Sequence, residues 1–111
     1  MGTNPIINMV ATECQPEAEA KFNKWYNEIH IPLLFKFPGM KKVTRYKTSK
    51  KTDDFPTYLA IYEFESRQSC EDYANSAELA AARAEMNETW KGGGFEIKWR
   101  VQYEAMQAWE K

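Results

Sequence analysis

A chain of 111 residues with 43% hydrophobic and 28% charged side chains has the size and composition of a single globular domain, and we assign residues 1–111 to one domain. Its 15 Lys and Arg residues against 16 Asp and Glu residues leave a formal net charge of −1, which argues against nucleic acid as a partner. No apolar run approaches the roughly 18 residues that span a bilayer, and the N-terminus lacks a signal-peptide pattern, so we expect a cytoplasmic protein without a membrane partner.

The first part of the chain predicts a strand followed by an amphipathic helix. Residues 5–12 form a short run rich in β-branched side chains, which is typical of a strand. Pro16 suits the first turn of a helix, and we expect this helix to run to about His30. At about 100° per residue, several large apolar side chains share the face that should pack against the core: Phe22, Trp25, Tyr26, Ile29 and Leu33.

The only histidine of the chain, His30, lies on the flank of this apolar face, where the core should meet solvent. Because Pro32 disfavours a helical conformation at Ile31, the regular helix should end or kink near His30, with an irregular turn up to Phe37. The dipole at a helix C-terminus should favour the charged imidazole. The residue is either a capping or packing residue or an acid–base group at the rim of a pocket.

Two strands and a polar loop follow a stop at Pro38-Gly39. Residues 40–48 alternate without a clearly apolar face, which suits a strand near an edge or an interface. Residues 58–65 carry apolar side chains on both faces, which predicts a central strand that is covered on both sides. The polar residues 49–54 between them predict a solvated hairpin tip.

A second helix and a last strand complete the pattern. Ser66 and Ser76 can cap two helical segments that together extend to about residue 90. The last strand, from Phe95 to about Trp109, alternates between an apolar face and a charged face that meets either solvent or a wet cavity. The order β-α-β-β-α-β is that of the α+β ferredoxin-like plait, a four-stranded antiparallel sheet with two helices on one face.

Such a sheet leaves one face without helices. That face would expose several large apolar or aromatic side chains, so we expect a homodimer that covers it. Aromatic residues make up 14% of the chain, more than a small core demands, which predicts that some of them line a cavity or a subunit interface.

The chain offers little material for metal or covalent chemistry. Cys14 and Cys70 lie far apart and have no histidine in a ligand spacing, so we interpret them as free structural thiols. One histidine and two distant cysteines do not make a common zinc site. Neither Ser nor Cys occurs in a Gly-flanked elbow, which argues against hydrolysis through a covalent intermediate.

The most specific pattern is the run of aromatic residues around the histidine. Residues 22–34 (FNKWYNEIHIPLL), followed by residues 37–40 (FPGM) and Arg45-Tyr46, resemble the F-x-x-W-Y-x-x-x-H-x-P, P-G and R-Y pattern of EthD-like proteins of the dimeric α/β-barrel superfamily. The resemblance implies that two ferredoxin-like protomers pack sheet against sheet, and that each keeps a pocket between its sheet and helices or within the barrel. It also implies that His30 is the family histidine and Tyr46 the family's strand tyrosine.

The resemblance implies a range of activities, because the superfamily includes cofactor-free monooxygenases, polyketide cyclases, lactone isomerases and haem-binding enzymes. The first hypothesis is a cofactor-free enzyme that acts on a small aromatic or enolisable substrate by proton transfer, with His30 as acid or base and Tyr46 as hydroxyl donor in one partly enclosed pocket. The second is a protein that binds a small-molecule ligand there without turnover. The third is a haem protein with His30 as the axial ligand.

The first hypothesis assigns roles to individual residues and requires neither a cofactor nor a metal. His30 and Tyr46 are the candidate catalytic residues. Trp25 should be structural rather than a substrate contact, because it lies within the apolar face of the first helix. The candidate substrate-binding residues are Asn23, Tyr26, Thr44 and Tyr62.

Overall fold

The computed structural model describes residues 5–111 as one sheet with helices on one side. The elements in chain order are β1 (Ile6–Cys14), a 3₁₀ turn (Pro16–Ala18), α1 (Glu19–Trp25), a π-helical turn (Tyr26–His30), α2 (Ile31–Leu34), β2 (Met40–Lys47), β3 (Tyr58–Phe64), α3 (Arg67–Ala74), α4 (Ala77–Thr89) and β4 (Phe95–Glu104). All neighbouring strands are antiparallel, in the order β2-β3-β1-β4. This topology confirms the predicted ferredoxin-like plait.

Alternate residues of β3 lie in two different environments. Tyr58, Tyr62 and Phe64 are buried against rings and hydroxyls of the helices, and we call this side the helix face. Leu59 and Ile61 point to the other side, which no helix in the described part of the chain covers, and we call it the open face. The prediction that β3 is a central strand is confirmed, while the chain itself supplies only one of the two covering layers.

An aromatic cluster fills the space between the helix face and the helices. Phe22 of α1 is fully buried at its centre. The Phe22 ring centroid lies 5.4 Å from that of Tyr58 and 5.1 Å from that of Phe95. Much of the aromatic content of the chain therefore stabilises this core. Its other buried aromatic members are Trp25, Tyr26, Tyr62, Phe64, Tyr73 and Trp90.

The first helix widens into the π-helical turn over Tyr26–His30 and then resumes as α2. The Ile31 N–H donates to the Tyr26 carbonyl, five residues back, as a π turn requires. Pro32 favours this widening, because in a regular helix its ring would clash with the carbonyl four residues back. The predicted break is therefore correct for the regular α-helix, which ends at Trp25, but the helical path continues beyond the proline.

The extra residue in the π turn changes which side chains face the core. An α-helical spacing would bury Ile29, but its side chain is 43% exposed, so that prediction is wrong. Leu33 is half-buried, and Leu34 is buried instead. The same shift turns His30 inward, and its ring stacks on that of Trp25, five residues before it.

A β-bulge in β4 moves side chains between the two faces of the sheet. Ala11 and Thr12 are adjacent in β1 but pair with Trp99 and Ile97, which makes Lys98 an extra residue in β4. The predicted alternation between one apolar and one charged face is therefore wrong for this strand. On the helix face, apolar side chains before the bulge are followed by polar side chains after it. The helix-face residues of β4 include Phe95, Ile97, Arg100 and Gln102.

The last strand ends at Glu104 rather than near Trp109 as predicted. The last backbone hydrogen bond beside it joins the Ala105 N–H to the Pro5 carbonyl. β1 is the only strand in the described chain that pairs with β4, and it begins at Ile6. Within residues 5–111 the chain after Glu104 pairs with no strand, so the apolar pattern up to Trp109 did not predict where the strand ends.

Both predicted serine caps are present. Ser66 and Ser76 accept hydrogen bonds from the backbone N–H three residues later, at the starts of α3 and α4. None of the helices formed by residues 5–111 has the length and apolar character needed to cross a bilayer.

Candidate functional site

A cavity of about 470 Å³ lies between the helix face and the helices. β1, β3 and β4 form its floor, and the π turn and α4 contribute to its walls. The volume suits a small aromatic molecule, since ligand pockets typically measure about 300–1,000 Å³. The polar lining residues that bear on its chemistry are Tyr26, His30, Tyr62, Arg83, Arg100 and Gln102.

His30 presents a neutral imidazole in the wall of this cavity. Its ring centroid lies 4.6 Å from that of Trp25 in a stacked arrangement, and 5.1 Å from that of Tyr26 edge-on. The buried Nδ1 atom has no hydrogen-bond partner among the described residues. Burial lowers the pKa of His30 from 6.5 to about 4, opposed by the Glu85 carboxylate and assisted by the Arg100 guanidinium. Burial therefore outweighs the helix-dipole effect that predicted a charged imidazole.

Two buried phenols lie beside the histidine. The hydroxyl oxygens of Tyr26 and Tyr62 are 2.8 Å apart and share a hydrogen bond. Burial raises the pKa of both tyrosines above the usual value of 10, so both hydroxyls keep their protons. One hydrogen is used within the pair, and the other has no acceptor among residues 5–111. The pair therefore retains one donor for a ligand.

Arg45 supports this aromatic wall from outside the cavity. Its guanidinium carbon lies 4.4 Å from the centre of the Tyr26 ring. The guanidinium donates to Asn23 Oδ1 at 2.8 Å and to Asn27 Oδ1 at 2.9 Å. Asn23 also donates to the Tyr58 hydroxyl at 3.1 Å. Asn23, which was predicted to bind substrate, lies outside the cavity lining and instead anchors Arg45 against α1.

Two further arginines, which the sequence pattern did not identify as site residues, face the cavity. Arg83 belongs to α4 and Arg100 to β4, on opposite sides of the cavity. Neither forms an ion pair with another described residue. Arg100 lies on the helix face because the bulge at Lys98 shifts the strand by one residue. The only sequence signal was the charged face of the last strand, for which a wet cavity was one of two predictions.

Tyr46 lies on the open face, away from His30. In β2 it pairs with Leu59 and shares that residue's face, whereas Arg45 before it turns towards α1. The Tyr46 side chain is 52% exposed. Thr44 lies on the same face and does not line the cavity. The prediction that His30 and Tyr46 face one pocket is wrong within a single chain, because the sheet separates them.

The structure brings together three of the predicted site residues, namely His30, Tyr26 and Tyr62. Trp25, which was predicted to be structural, is buried, and its Nε1 donates to the Glu85 carboxylate at 2.8 Å. The Trp25 ring also lines the cavity and stacks on the imidazole. Trp25 therefore belongs to the core and also fixes the orientation of the histidine.

Within residues 5–111 no group of three or more His, Cys, Asp and Glu side chains is arranged to hold a metal ion. Cys14 and Cys70 are free, as predicted. Burial raises the pKa of both thiols, which disfavours the reactive thiolate. The polar groups that line the cavity thus include one imidazole, three phenols, two amides, one aliphatic hydroxyl and two guanidiniums.

The sequence of residues 5–102 matches the model of a family described as "Domain of unknown function (DUF4286)". No curated protein matches the chain by sequence.

Solved structures share the fold over nearly the whole chain. HapK from Hahella chejuensis has a TM-score of 0.72 at 8% identity, covering 96% of this chain and 97% of that one. An ethyl tert-butyl ether D (EthD) family protein from Bacillus halodurans C-125 has a TM-score of 0.65 at 15% identity, covering 94% and 100%. SnoaB, a cofactor-independent oxygenase from Streptomyces nogalater, has a TM-score of 0.65 at 11% identity, covering 100% of both chains. At these identities the likeness confirms the EthD-like resemblance at the level of the fold.

Proposed function

The chain belongs to the DUF4286 family, and we propose that its cavity binds a small aromatic or enolisable molecule with which His30 exchanges a proton. The observation that carries this proposal is the buried, unpartnered Nδ1 atom of His30, a residue of the cavity wall. A buried polar atom without a hydrogen bond typically destabilises a protein by about 1–3 kcal/mol. Less than 1 Å² of this atom is accessible, so a ligand that hydrogen-bonds to it must displace a neighbouring side chain, and it then removes that penalty.

The low pKa of His30 restricts the proton that it can remove. A base with a pKa of about 4 is deprotonated at neutral pH and therefore always available, but it is a weak base. Such a base works on a carbon acid whose anion is strongly stabilised. 1,3-Dicarbonyl compounds and ketones with a benzylic α-carbon meet this requirement, because their enolates are delocalised.

The site also contains groups suited to the anion that proton removal would leave. Charge would develop on an enolate oxygen, where a positioned donor or cation stabilises it. The unused hydrogen of the Tyr26–Tyr62 pair is such a donor. Because Trp25 stacks on the imidazole, the base is held in one orientation before substrate arrives.

The fold likeness is compatible with chemistry of this class but does not select it. SnoaB, which shares the fold, is described as a cofactor-independent oxygenase. One fold commonly supports many unrelated activities, so the residues of the cavity carry the proposal and the likeness only supports it.

A second candidate function is ligand binding without turnover. The observation in its favour is the same pKa of about 4, which makes His30 a poorer proton acceptor than an ordinary imidazole. The aromatic walls and the free phenol donor would serve a binding protein equally well. The two functions differ only in whether a bound carbon acid loses its proton.

We further propose that two copies of the chain pair through the open face. Trp99 and Tyr103 are 42% and 58% exposed there, beside Tyr46 and the apolar side chains of β3. A continuous apolar surface of this kind usually marks an interface, and the EthD-like resemblance implies sheet-against-sheet pairing. Sedimentation at micromolar concentration should show a dimer, and a 13.0 kDa species alone would overturn this assembly.

Deuterium exchange separates binding from turnover. 2-Tetralone and benzoylacetone are incubated with the protein in D₂O, and proton NMR follows the loss of their α-protons above the uncatalysed rate. We expect the wild-type protein to accelerate exchange and His30→Gln to abolish the acceleration. Tyr46→Phe, on the open face, should leave it intact. The accelerated rate should fall as the pH drops through about 4, because protonated His30 is no longer a base.

The outcomes distinguish the candidate functions. Ligands that shift the His30 ring signals without accelerated exchange would support binding alone. Exchange that survives His30→Gln would contradict the role of the histidine, and ligands that neither bind nor exchange would contradict the proposal as a whole. An absorbance near the Soret band in purified protein would instead support the haem hypothesis.

A further inference from the structure

We propose that the ligand of this cavity is an aromatic acid that binds as an anion, with its negative group held between Arg83 and Arg100. This inference rests on the proposed function of the cavity and specifies its ligand class. It needs the two guanidiniums to be free to pair, the cavity to lack competing negative charge, and the apolar walls to accept a ring. Each of these conditions can be read from the structure.

The two arginines have no acidic partner among residues 5–111. The other two arginines of the chain are both engaged. Arg67 pairs with Glu104, and Arg45 donates to the side-chain oxygens of two asparagines. In a chain whose formal net charge is −1, the only two unengaged arginines therefore face one cavity.

The described lining of the cavity contains no Asp or Glu side chain. Glu85 is the acidic residue that affects His30, but its carboxylate accepts hydrogen bonds from Trp25 Nε1 and from the Thr89 hydroxyl. The tyrosines of the lining stay protonated, because burial raises their pKa values. Two positive side chains and no negative one therefore line the cavity, so a ligand that carries a negative charge is favoured at the arginines.

The positions of charged and apolar groups orient such a ligand. Arg83 and Arg100 are exposed residues, whereas Trp25, Tyr26 and Tyr62 are buried deeper in the lining. A ring would enter among the aromatic side chains while its carboxylate stays near solvent, where each guanidinium can donate charge-assisted hydrogen bonds. This orientation places the ring, and not the acid group, beside His30.

A matched pair of ligands tests the charge requirement. 2-Naphthoate and 2-naphthamide have nearly the same shape, but only the first is an anion at neutral pH. His30 is the only histidine, so its ring Hε1 signal in proton NMR reports binding at this cavity without ambiguity. We expect 2-naphthoate to bind at least about 10-fold more tightly than 2-naphthamide, the ratio expected for charge-assisted hydrogen bonds.

Single variants then identify the source of the preference. Arg83→Gln and Arg100→Gln should each raise the dissociation constant of 2-naphthoate about 5- to 10-fold. The dissociation constant of 2-naphthamide should change less than about 2-fold. Arg67→Gln removes the same charge outside the cavity lining and should leave both ligands unchanged. Circular dichroism of each variant confirms the fold. Wild-type affinity for 2-naphthoate, but not for 2-naphthamide, should also fall between 50 and 300 mM NaCl, roughly as charge screening requires.

Failure of this inference differs from failure of the proposed function. Equal affinities for the two ligands, or arginine variants that leave both affinities unchanged, would overturn the anion assignment while the cavity remained a binding site. If neither ligand shifted the His30 signal at millimolar concentration, both the anion assignment and the cavity proposal would be contradicted.

Discussion

The two faces of one sheet are built from neighbouring residues and meet opposite requirements. On the helix face, Tyr62 of β3 is buried in an aromatic core. On the open face, Ile61 lies one residue earlier and has no covering layer within the described chain. Because side chains alternate along a strand, neighbouring residues of β3 contribute to a buried core on one face and to an uncovered surface on the other. Burial on one face depends on the chain alone, and burial on the other would require a second molecule.

The difference also separates chemistry from assembly. The imidazole, the phenol pair and the two free arginines all line the cavity on the helix face. The open face offers mainly apolar and aromatic side chains, with Tyr46 among them. Substitutions on the helix face should therefore change stability and ligand binding, and substitutions on the open face should change association.

The largest expected effect is the loss of Trp25 from the helix face. Trp25→Ala should lower the free energy of unfolding by about 3–5 kcal/mol, because it leaves a cavity in the aromatic core. It also removes the donor to Glu85 and the ring that stacks on His30. Urea denaturation monitored by circular dichroism measures the change.

Trp99→Ala, on the open face, is the matched control for this comparison. At a concentration where the protein is monomeric, its free energy of unfolding should fall by less than about 1 kcal/mol, because the indole is already 42% exposed. Equal losses for the two tryptophans would mean that the two faces are equally covered.

The second prediction concerns the stability of the helix face against acid. Unfolded His30 takes up a proton near pH 6.5, but the folded residue does so only near pH 4. The unfolded state therefore binds more protons between these values, and stability is lost as the pH falls from 6.5 to 4. At about 1.4 kcal/mol per pH unit, this loss is roughly 3 kcal/mol.

A difference measurement isolates this contribution from the carboxylates, which titrate in the same range. Urea denaturation of the wild-type protein and of His30→Gln is compared at pH 7.0 and at pH 4.5. The wild-type protein should lose more stability than the variant by a few kcal/mol. Parallel losses in the two proteins would contradict a buried neutral histidine.

The sequence predicted the elements and their order well because these depend on local patterns. Serine caps, a proline in the first helical turn, and the alternation in β3 fix where most elements begin and how they face. The topology then follows from few choices, because a β-α-β-β-α-β order with one two-sided strand favours one antiparallel plait. The EthD-like pattern around His30 pointed to the same fold.

The site was less predictable because two one-residue insertions decide it. The π turn exchanges Ile29 for Leu34 in the core and turns His30 onto Trp25. The bulge at Lys98 turns Arg100 to the cavity side. Neither irregularity changes the apolar periodicity enough to be visible in the sequence, although Pro32 gave a reason to expect some break in the helix.

The third prediction tests whether the open face is the dimer interface. Ile61→Lys places a charge within the apolar surface. The dissociation constant of the proposed dimer should rise about 10- to 100-fold, because that charge would be buried without a partner. Sedimentation across a dilution series measures the change. Asn87→Lys adds the same charge on an exposed position of α4 and should leave association unchanged. Equal association of both variants would exclude the open face as the interface.

The smallest expected effect compares the same chemical change on both faces. Tyr26→Phe removes a hydroxyl that lies 2.8 Å from the Tyr62 hydroxyl in a buried site, so the free energy of unfolding should fall by about 1–2 kcal/mol. Tyr46→Phe removes a hydroxyl from a side chain that is 52% exposed, and its loss should stay within about 0.5 kcal/mol.

Both substitutions are measured in the Ile61→Lys background, so that association through the open face does not enter the comparison. Tyr26→Phe leaves the buried Tyr62 hydroxyl without its partner, whereas the double variant Tyr26→Phe/Tyr62→Phe removes both polar groups together. The double variant should therefore lose less stability than the sum of the two single variants, by about 0.5–1 kcal/mol. Strict additivity would mean that the two hydroxyls do not depend on each other. A loss in Tyr46→Phe as large as that in Tyr26→Phe would mean that Tyr46 is buried in the monomer, and the sheet would then not divide the molecule into a closed and an open side.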